Sequence, residues 1–288
     1  MMIRFTRNSI MALVTLAACA LLSTSVTAQQ QNVGIRVTLD QPTQAEFQVQ
    51  QATTNFTVQP SVTSSSIGAG ERTLPLLILC YNLFTGEIVD NCNVVIDHQA
   101  RAFSGGHDHH DDSRPKGRFE PRSGNTGTGG LLTVYTSPEA SGIIDTTLTG
   151  TSPDGSPLVP NQFTIGVQTD GLVALGGGLN YDLIGVTDTH SDNHYGTVSM
   201  NGSLVSLADS YANAFPGQRL AYNDMSLEYG GLFDINGTWA PPHSSHRFGV
   251  DADLRLVPAE RRLRLHQLIT AAGISRVIVE GNHWHLRQ

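Results

Sequence analysis

Histidines and an aspartate with the spacing of metal ligands are concentrated in the last fifth of the chain. His246 and Asp253 stand seven residues apart with Gly249 between them, and His283 and His285 follow with one residue between them. Two imidazoles and a carboxylate can hold a zinc ion and leave its fourth position to water. We therefore take His246, Asp253 and His285 as the candidate ligands of a metal ion.

The spacing of these residues is compatible with a strand and a preceding loop. On a strand, His283 and His285 share one face at about 6–7 Å, so one can bind a metal while the other lies beside the reacting water. An interval of seven would place His246 and Asp253 on opposite faces of one straight strand. The conflict disappears if His246 lies in a loop that turns at Gly249. Asp251 would share the face of Asp253 and stays an alternative ligand.

The elements that must position these residues are predicted to form an α+β domain over 179–288. Helical periodicity covers 201–215, with Ser203 as a possible N-cap, and 258–272, where Pro258 suits the first turn. The stretches 275–280 and 284–286 are strand-like. Helices interleaved with strands indicate an α+β domain with a small antiparallel sheet, following a boundary at the glycine run 176–178.

Residues 29–177 are predicted to form an all-β domain. Short strand-like runs separated by turn residues, with no convincing helix between them, are typical of an immunoglobulin-like β-sandwich. The runs are 76–81, 87–96, 131–136, 143–149 and 162–168.

The first 28 residues resemble an export signal. Arg4 and Arg7 precede an apolar core that is too short to span a membrane, and small residues end at Ala28. Cleavage after Ala28 would release the protein to the periplasm or the medium, whereas a lipoprotein signal at Cys19 is the alternative. Export makes a disulfide between the two remaining cysteines, Cys80 and Cys92, the expected state.

The charge balance excludes one class of partner. The formal net charge is −8, and removal of the leader makes it about −10. Lys116 is the only lysine and no basic stripe exists, so we expect no binding of nucleic acid. The oligomeric state is not indicated by the sequence.

A second group of histidines lies in the loop His107–Asp112. Three histidines and three aspartates in six residues could capture a divalent metal. We favour a solvated polar loop over a fixed metal site, because the ligands follow no recognised spacing. His190 and His194 are predicted either to line a cleft or to cap the helix that follows them.

The C-terminal motifs carry a specific resemblance. His-Ser-Ser-His-X-X-Gly-X-Asp-X-Asp at 243–253, followed by His-X-His-X-Arg at 283–287, resembles the penicillin-insensitive murein endopeptidases. These belong to the wider zinc peptidase group of D-alanyl-D-alanine peptidases, lysostaphin-like enzymes and hedgehog signalling domains. The resemblance covers only the C-terminal domain, most clearly from Asn223 onwards.

The resemblance implies roles for individual residues. It places zinc on His246, Asp253 and His285 and assigns catalysis to His283. His243 matches a further motif histidine, which we expect to orient a ligand or the substrate. Glu280 stands where the murein endopeptidases have another histidine, and related dipeptidases use a glutamate near this point as the base.

The expected activity is hydrolysis of amide bonds in peptidoglycan peptides. Either His283 or Glu280 would take the proton of the attacking water and later protonate the leaving amine. Arg287 could pair with a substrate carboxylate, and Ser245 is a weaker candidate for substrate contact. The alternatives are a zinc-containing recognition domain without catalysis, and a surface adhesin whose working part is the sandwich.

Overall fold

The computed structural model describes residues 33–39, 55–62, 70–240 and 245–288. The predicted leader and His243 lie outside these residues. The described chain is mostly β, with several sheets and two α-helices. In its first part the strands are β1 (Val33–Leu39), β2 (Asn55–Val58), β3 (Thr73–Asn82), β4 (Asn93–Ala100), β5 (Arg118–Glu120), β6 (Ser123–Asn125), β7 (Leu131–Thr136), β8 (Gly142–Thr151) and β9 (Asn161–Val167).

Two sheets enclose the first hydrophobic core. One has the order β1-β3-β7-β5 and the other the order β2-β9-β8-β4-β6. Alternate residues of β3 and β8 point inwards, as Leu76 and Ile144 do, and both sheets contribute to one buried cluster. The apolar residues of the two sheets therefore lie in one buried layer, and this part of the chain is largely β.

The predicted strand 87–96 is shifted in the structure, where β4 begins only at Asn93. Asn91 adopts a left-handed conformation with φ 59°, and Ile88 makes only an isolated bridge to Tyr81. Asparagine tolerates that conformation better than most residues, and a single left-handed residue interrupts an extended strand.

The second part of the chain has its own sheet and core. Its strands are β10 (Leu172–Ala174), β11 (Tyr181–Leu183), β12 (Tyr195–Thr197), β13 (Leu220–Tyr222), β14 (Asp251–Arg255), β15 (Arg276–Val279) and β16 (His283–Arg287). The main sheet has the order β11-β13-β14-β16-β15. The prediction of an antiparallel sheet was wrong for one pair, because β11 and β13 run parallel.

Two helices cover one face of this sheet. The first, α1 (Val198–Ala214), is capped by Thr197, whose side chain accepts a hydrogen bond from the Met200 N–H, so the predicted cap Ser203 lies inside the helix. The second, α2 (Arg262–Ala271), follows a 3₁₀ turn at Ala259–Arg261. Both bury leucines against Trp284 and Leu286 of β16, and the opposite face of β14 and β16 remains for polar residues.

Cys80 and Cys92 lie in the first core with their side chains in contact, but they are free thiols in the structure. Burial, together with the neighbouring thiol, raises the pKa of Cys80. The predicted disulfide is therefore not formed here and stays a prediction for the exported protein. Within the described residues, no helix is long and apolar enough to cross a membrane.

Candidate metal centre

The pairing of β14 with β16 brings the predicted ligands together. Asp253 lies directly opposite His285 in this antiparallel pair. Ala252, Leu254 and Trp284 point into the hydrophobic core, so alternation turns the side chains of Asp253 and His285 to the other face. The register of two strands therefore fixes one carboxylate beside one imidazole.

The three predicted ligands converge on one buried point. His246 Nε2 lies 3.4 Å from Asp253 Oδ1, and His285 Nδ1 lies 2.8 Å from the same oxygen. One ligand atom from each residue falls within 4.8 Å of the other two. The residues are only 1%, 1% and 6% exposed, in the order His246, Asp253 and His285, so they form a site inside the protein.

This donor set fits one divalent transition metal ion. Ligands about 2.0–2.1 Å from a tetrahedral zinc ion lie about 3.3–3.4 Å apart, which is close to the separation of His246 Nε2 and Asp253 Oδ1. His285 Nδ1 lies at hydrogen-bond distance from the same oxygen, 2.8 Å, and would move outwards by about half an ångström to bind the ion. Two imidazole nitrogens and one carboxylate oxygen suit zinc, and they occupy three of its four positions.

The electrostatics of the centre favour positive charge. Burial opposes ionisation of Asp253, but hydrogen bonds from His246 and His285 outweigh burial and hold the pKa of Asp253 well below its usual range. Burial also disfavours protonated His285, yet hydrogen bonds to Asp251 and Asp253 raise its pKa to about 9. Two carboxylates around one imidazole thus create a place for a cation, whether a proton or a metal ion.

Asp251 is not a ligand in this arrangement. Its Oδ1 lies 3.0 Å from His285 Nε2, the ring nitrogen that faces away from Asp253, and 3.5 Å from Arg287 Nε. A carboxylate on the outer nitrogen of a ligating histidine fixes the orientation and tautomer of the ring. Of the two aspartates, Asp253 therefore belongs to the candidate ligand group, whereas Asp251 lies on the outer nitrogen of His285 and beside Arg287.

The loop before β14 places His246 over the strand pair. Gly249 has φ +67°, and a Cβ there would come within 2.3 Å of Leu172 Cδ2 and 2.9 Å of Gly196 Cα. Only glycine combines that conformation with such a close approach. The predicted turn at Gly249 is confirmed, and it resolves the seven-residue interval between His246 and Asp253.

The same loop is tied to the first part of the chain. Arg247 is 1% exposed, and its Nη1 lies 2.7 Å from Glu139 Oε2 in the segment that joins β7 to β8. Its carbonyl oxygen accepts hydrogen bonds from the Gly231 N–H and the Thr169 hydroxyl. The residue beside a candidate ligand is thus anchored on three sides.

His283 and Glu280 lie on the open side of the centre. His283 Nε2 is 3.3 Å from Asp253 Oδ2 and 3.3 Å from Glu280 Oε2, while its Nδ1 is 2.8 Å from Asn282 Oδ1. The side chain of His283 is 20% exposed and that of Glu280 is 49% exposed. His283 therefore connects a buried carboxylate with one that reaches solvent.

Asp224 is a buried acid of the site that the sequence reading missed. Burial raises its pKa to about 6, although the nearby His246 acts in the opposite direction. Its oxygens accept hydrogen bonds from Asn193 Nδ2 at 2.8 Å and Asn223 Nδ2 at 3.1 Å. The only sequence signal was its place directly after Asn223, where the family resemblance becomes clear.

Two further predictions, Ser245 as a weak substrate contact and His243 as a catalytic residue that orients a ligand or the substrate, gain little from the structure. Ser245 is partly buried at the start of the His246 loop, where its carbonyl oxygen accepts a hydrogen bond from the Arg247 N–H. His243 lies outside the described residues, so its predicted role stays a prediction.

The His107–Asp112 loop differs from our expectation of a solvated polar segment. His107 is buried, and it lies with His109, His190 and Asp234 in a second group whose ligand atoms are all within 4.8 Å of one another. Asp234, which brings the group together, had no sequence signal. His194 is not part of either group, since its Nε2 lies 2.9 Å from the Ile184 carbonyl oxygen.

Comparisons with known proteins add little to this geometry. No family model matches the chain, and no curated protein matches it. Among solved structures, the adhesin InvE of Yersinia pseudotuberculosis matches with a TM-score of 0.30 and 12% identity, over 65% of this chain. The chain spans 55% of the length of that solved chain. A TM-score of this size relates neither the folds nor the functions of the two proteins.

Proposed function

We propose that this chain is an exported zinc-dependent peptidase that hydrolyses amide bonds in the stem or cross-link peptides of peptidoglycan. The observation that carries the proposal is the convergence of His246, Asp253 and His285, with His283 on the second oxygen of Asp253. Three protein ligands with a proton-transfer group at the open side are typical of a catalytic zinc site rather than a structural one.

The residues of the centre would have separate roles in metal binding and proton transfer. His246, Asp253 and His285 would hold a zinc ion, which would supply Lewis acidity and lower the pKa of a water molecule to near 7. His283 Nε2 would take the proton of the attacking water and pass the same proton to the leaving amine. Glu280, whose Oε2 lies 3.3 Å from His283 Nε2, would stabilise the protonated imidazole between these two transfers.

The substrate class rests on the sequence. The resemblance of the motifs at 243–253 and 283–287 to the murein endopeptidases points to cell-wall peptides, and the export signal would place the protein where such peptides occur. Arg287, whose side chain is 23% exposed and whose Nε lies 3.5 Å from Asp251 Oδ1, would be the group that pairs with a substrate carboxylate.

The domain arrangement belongs to the same proposal. We propose that 29–177 forms an immunoglobulin-like sandwich and 179–288 the peptidase domain. Two separate buried clusters support this division, one with members from Ile35 to Val167 and one with members from Leu175 to Leu286. The sandwich would then target the peptidase or set its distance from a surface.

Digestion of purified peptidoglycan tests the proposed function. The wild-type chain should release soluble peptides, identified by mass spectrometry, and a chelator should stop the release until zinc is restored. Asp253→Ala should lose both metal and activity. Asp170→Ala, a change of an exposed aspartate far from the centre in sequence, is the control and should retain both.

One result would rule out the proposed peptidase activity. If the wild-type chain holds zinc at His246, Asp253 and His285 but releases nothing from any peptidoglycan or peptide, hydrolysis is wrong. The zinc-containing recognition domain would then be the better description.

A further inference from the structure

A second cluster of metal-ligating side chains joins distant parts of the chain. His107 and His109 lie between β4 and β5, His190 lies between β11 and β12, and Asp234 lies between β13 and β14. We call these four residues the bridge cluster. Two of them follow a strand of the first core, whereas the other two connect strands of the second part, so the cluster spans both.

The atoms of the bridge cluster are arranged around one point. His107 Nδ1 and His190 Nε2 each lie 3.2 Å from Asp234 Oδ1 and 3.4 Å from each other. His109 Nε2 lies 3.4 Å from Asp234 Oδ2. The three separations among His107, His190 and Asp234 Oδ1 match the edge of a zinc tetrahedron, which is about 3.3–3.4 Å for ligands at about 2.0–2.1 Å. The ligand atom of His109 lies within 4.8 Å of the other three.

Burial makes the cluster unusual for a group of histidines. His107 is 1% exposed, and His190 and Asp234 are completely buried. The Nε2 atom of His109 is also buried and has no hydrogen-bond partner among the described residues, although it faces Asp234. A buried ring nitrogen without a partner needs an explanation, and a metal ion that accepts its lone pair provides one.

Neighbouring groups hold the cluster in place. Thr189 Oγ1 lies 3.2 Å from His190 Nδ1, the ring nitrogen away from the cluster, and the Trp239 N–H donates to Asp234 Oδ2 at 2.6 Å. Between the two histidines of the loop, Asp108 Oδ2 accepts a hydrogen bond from the Ser191 N–H at 2.6 Å. Such outer contacts are the usual support of metal ligands.

The cluster has four candidate protein ligands, and the side chains of Trp239 and Arg114 cover it. The ring of Trp239 lies 4.1 Å from that of His109 and 5.0 Å from that of His107, and the Arg114 guanidinium lies 5.0 Å above Trp239. The candidate centre at His246, Asp253 and His285 has three ligands and an open side. Four ligands under an aromatic cover are typical of a structural site, where no position is left for a substrate.

We propose that the bridge cluster binds a structural zinc ion, through His107, His109, His190 and Asp234, that fastens the 101–117 loop to the second part of the chain. Nitrogen and oxygen donors without sulfur suit zinc or another divalent transition metal. The ring of Phe233 contacts both His190 and His246, so the fastened loop also supports the wall beside the other centre. This inference does not depend on the proposed peptidase activity.

Zinc content per chain, measured by mass spectrometry after dialysis, tests the proposal. The wild-type chain should retain two zinc ions, Asp253→Ala one, Asp234→Asn one, and the double variant none. His110→Ala is the matched control, because His110 lies in the same loop and is exposed, and it should retain two. In the Asp253→Ala background a chelator should lower the melting temperature, and cobalt in place of zinc should give the absorption bands of a tetrahedral site.

The outcomes separate this inference from the proposed function. If Asp234→Asn retains as much zinc as the wild type after dialysis, no ion depends on Asp234, the bridge cluster is only a hydrogen-bonded network and the inference is wrong. If the wild-type chain holds one ion that Asp234→Asn loses and Asp253→Ala keeps, the structural site stands and the catalytic centre fails. His109→Ala changes the most accessible of the four ligands, and it replaces Asp234→Asn should that variant not fold.

Discussion

Asp251 holds the ring of His285 from the side opposite to Asp253. Its Oδ1 is 3.0 Å from Nε2, while Asp253 Oδ1 is 2.8 Å from Nδ1 of the same ring. The two aspartates are two residues apart on β14, so the alternation of one strand supplies both a ligand and its support. The register of β14 and β16 therefore places a carboxylate on each ring nitrogen of His285, as in the carboxylate–histidine–metal arrangement that a bound ion would complete.

Asp251→Asn should weaken zinc binding without removing a ligand. Loss of the carboxylate leaves the outer nitrogen of His285 less firmly held, and such changes reduce metal affinity about 10–100-fold. Competition with a chelator of known affinity measures the effect. Asp170→Asn, which changes an exposed aspartate, should leave the affinity unchanged. An unaltered zinc affinity in Asp251→Asn would show that Asp251 pairs with Arg287 but does not support metal binding by His285.

His283→Gln and Glu280→Gln should separate metal binding from turnover. Neither residue is a proposed ligand, so both variants should retain zinc. Loss of a proton-transfer group reduces kcat about 10²–10⁴-fold, and we expect the larger loss for His283, which lies nearer the buried carboxylate. If the two residues act as one relay, the double variant should be no slower than His283→Gln alone.

Steady-state kinetics on a purified peptidoglycan peptide, with zinc content measured in parallel, provides the test of this relay. Glu260→Gln, an exposed glutamate beside α2, is the control. If His283→Gln retains full activity while Glu280→Gln loses it, the base is Glu280 alone.

Two of the three candidate ligands, Asp253 and His285, could be found from sequence because they lie on short, regular strands. Strand periodicity and the Gly249 turn associated His246 with Asp253 but left Asp251 as an alternative ligand, and the family resemblance favoured Asp253. The predicted run 131–136 coincides with β7. The predicted helices at 201–215 and 258–272 correspond to α1 and α2 with shifted ends.

The bridge cluster could not be found in that way. His109 and Asp234 are far apart in sequence and lie on loops, which have no periodicity to reveal a shared face. Their meeting depends on how the two parts of the chain pack, and local patterns do not encode it. Asp224 was missed for a similar reason. One of its hydrogen-bond partners is its neighbour Asn223, but the other, Asn193, is 31 residues away in the sequence, and no local pattern indicates that the two meet.

Gly249→Ala should weaken metal binding by moving the loop that carries His246, although Gly249 is not itself a candidate ligand. The variant would need φ +67° with a side chain, and its Cβ would lie 2.3 Å from Leu172 Cδ2. Strain of this kind costs about 1–3 kcal/mol, and relief would move the His246 loop. We expect a lower melting temperature together with weaker zinc binding. Gly176→Ala is the matched control, because nothing lies within 4 Å of its added Cβ, and it should change neither property.

Glu139→Gln should destabilise the protein through the residue next to His246. The change leaves the Arg247 guanidinium, which is 1% exposed, without its charged partner at 2.7 Å, and breaking one side of a buried pair costs about 3–5 kcal/mol. Because the Glu139 side chain is 24% exposed, water screens part of this loss, and we expect a value at or below the lower end of that range. Denaturant unfolding measures the free energy. Glu71→Gln, which breaks an exposed pair with Arg118, should cause no measurable change, and an equal effect of the two variants would show that Arg247 does not anchor the loop.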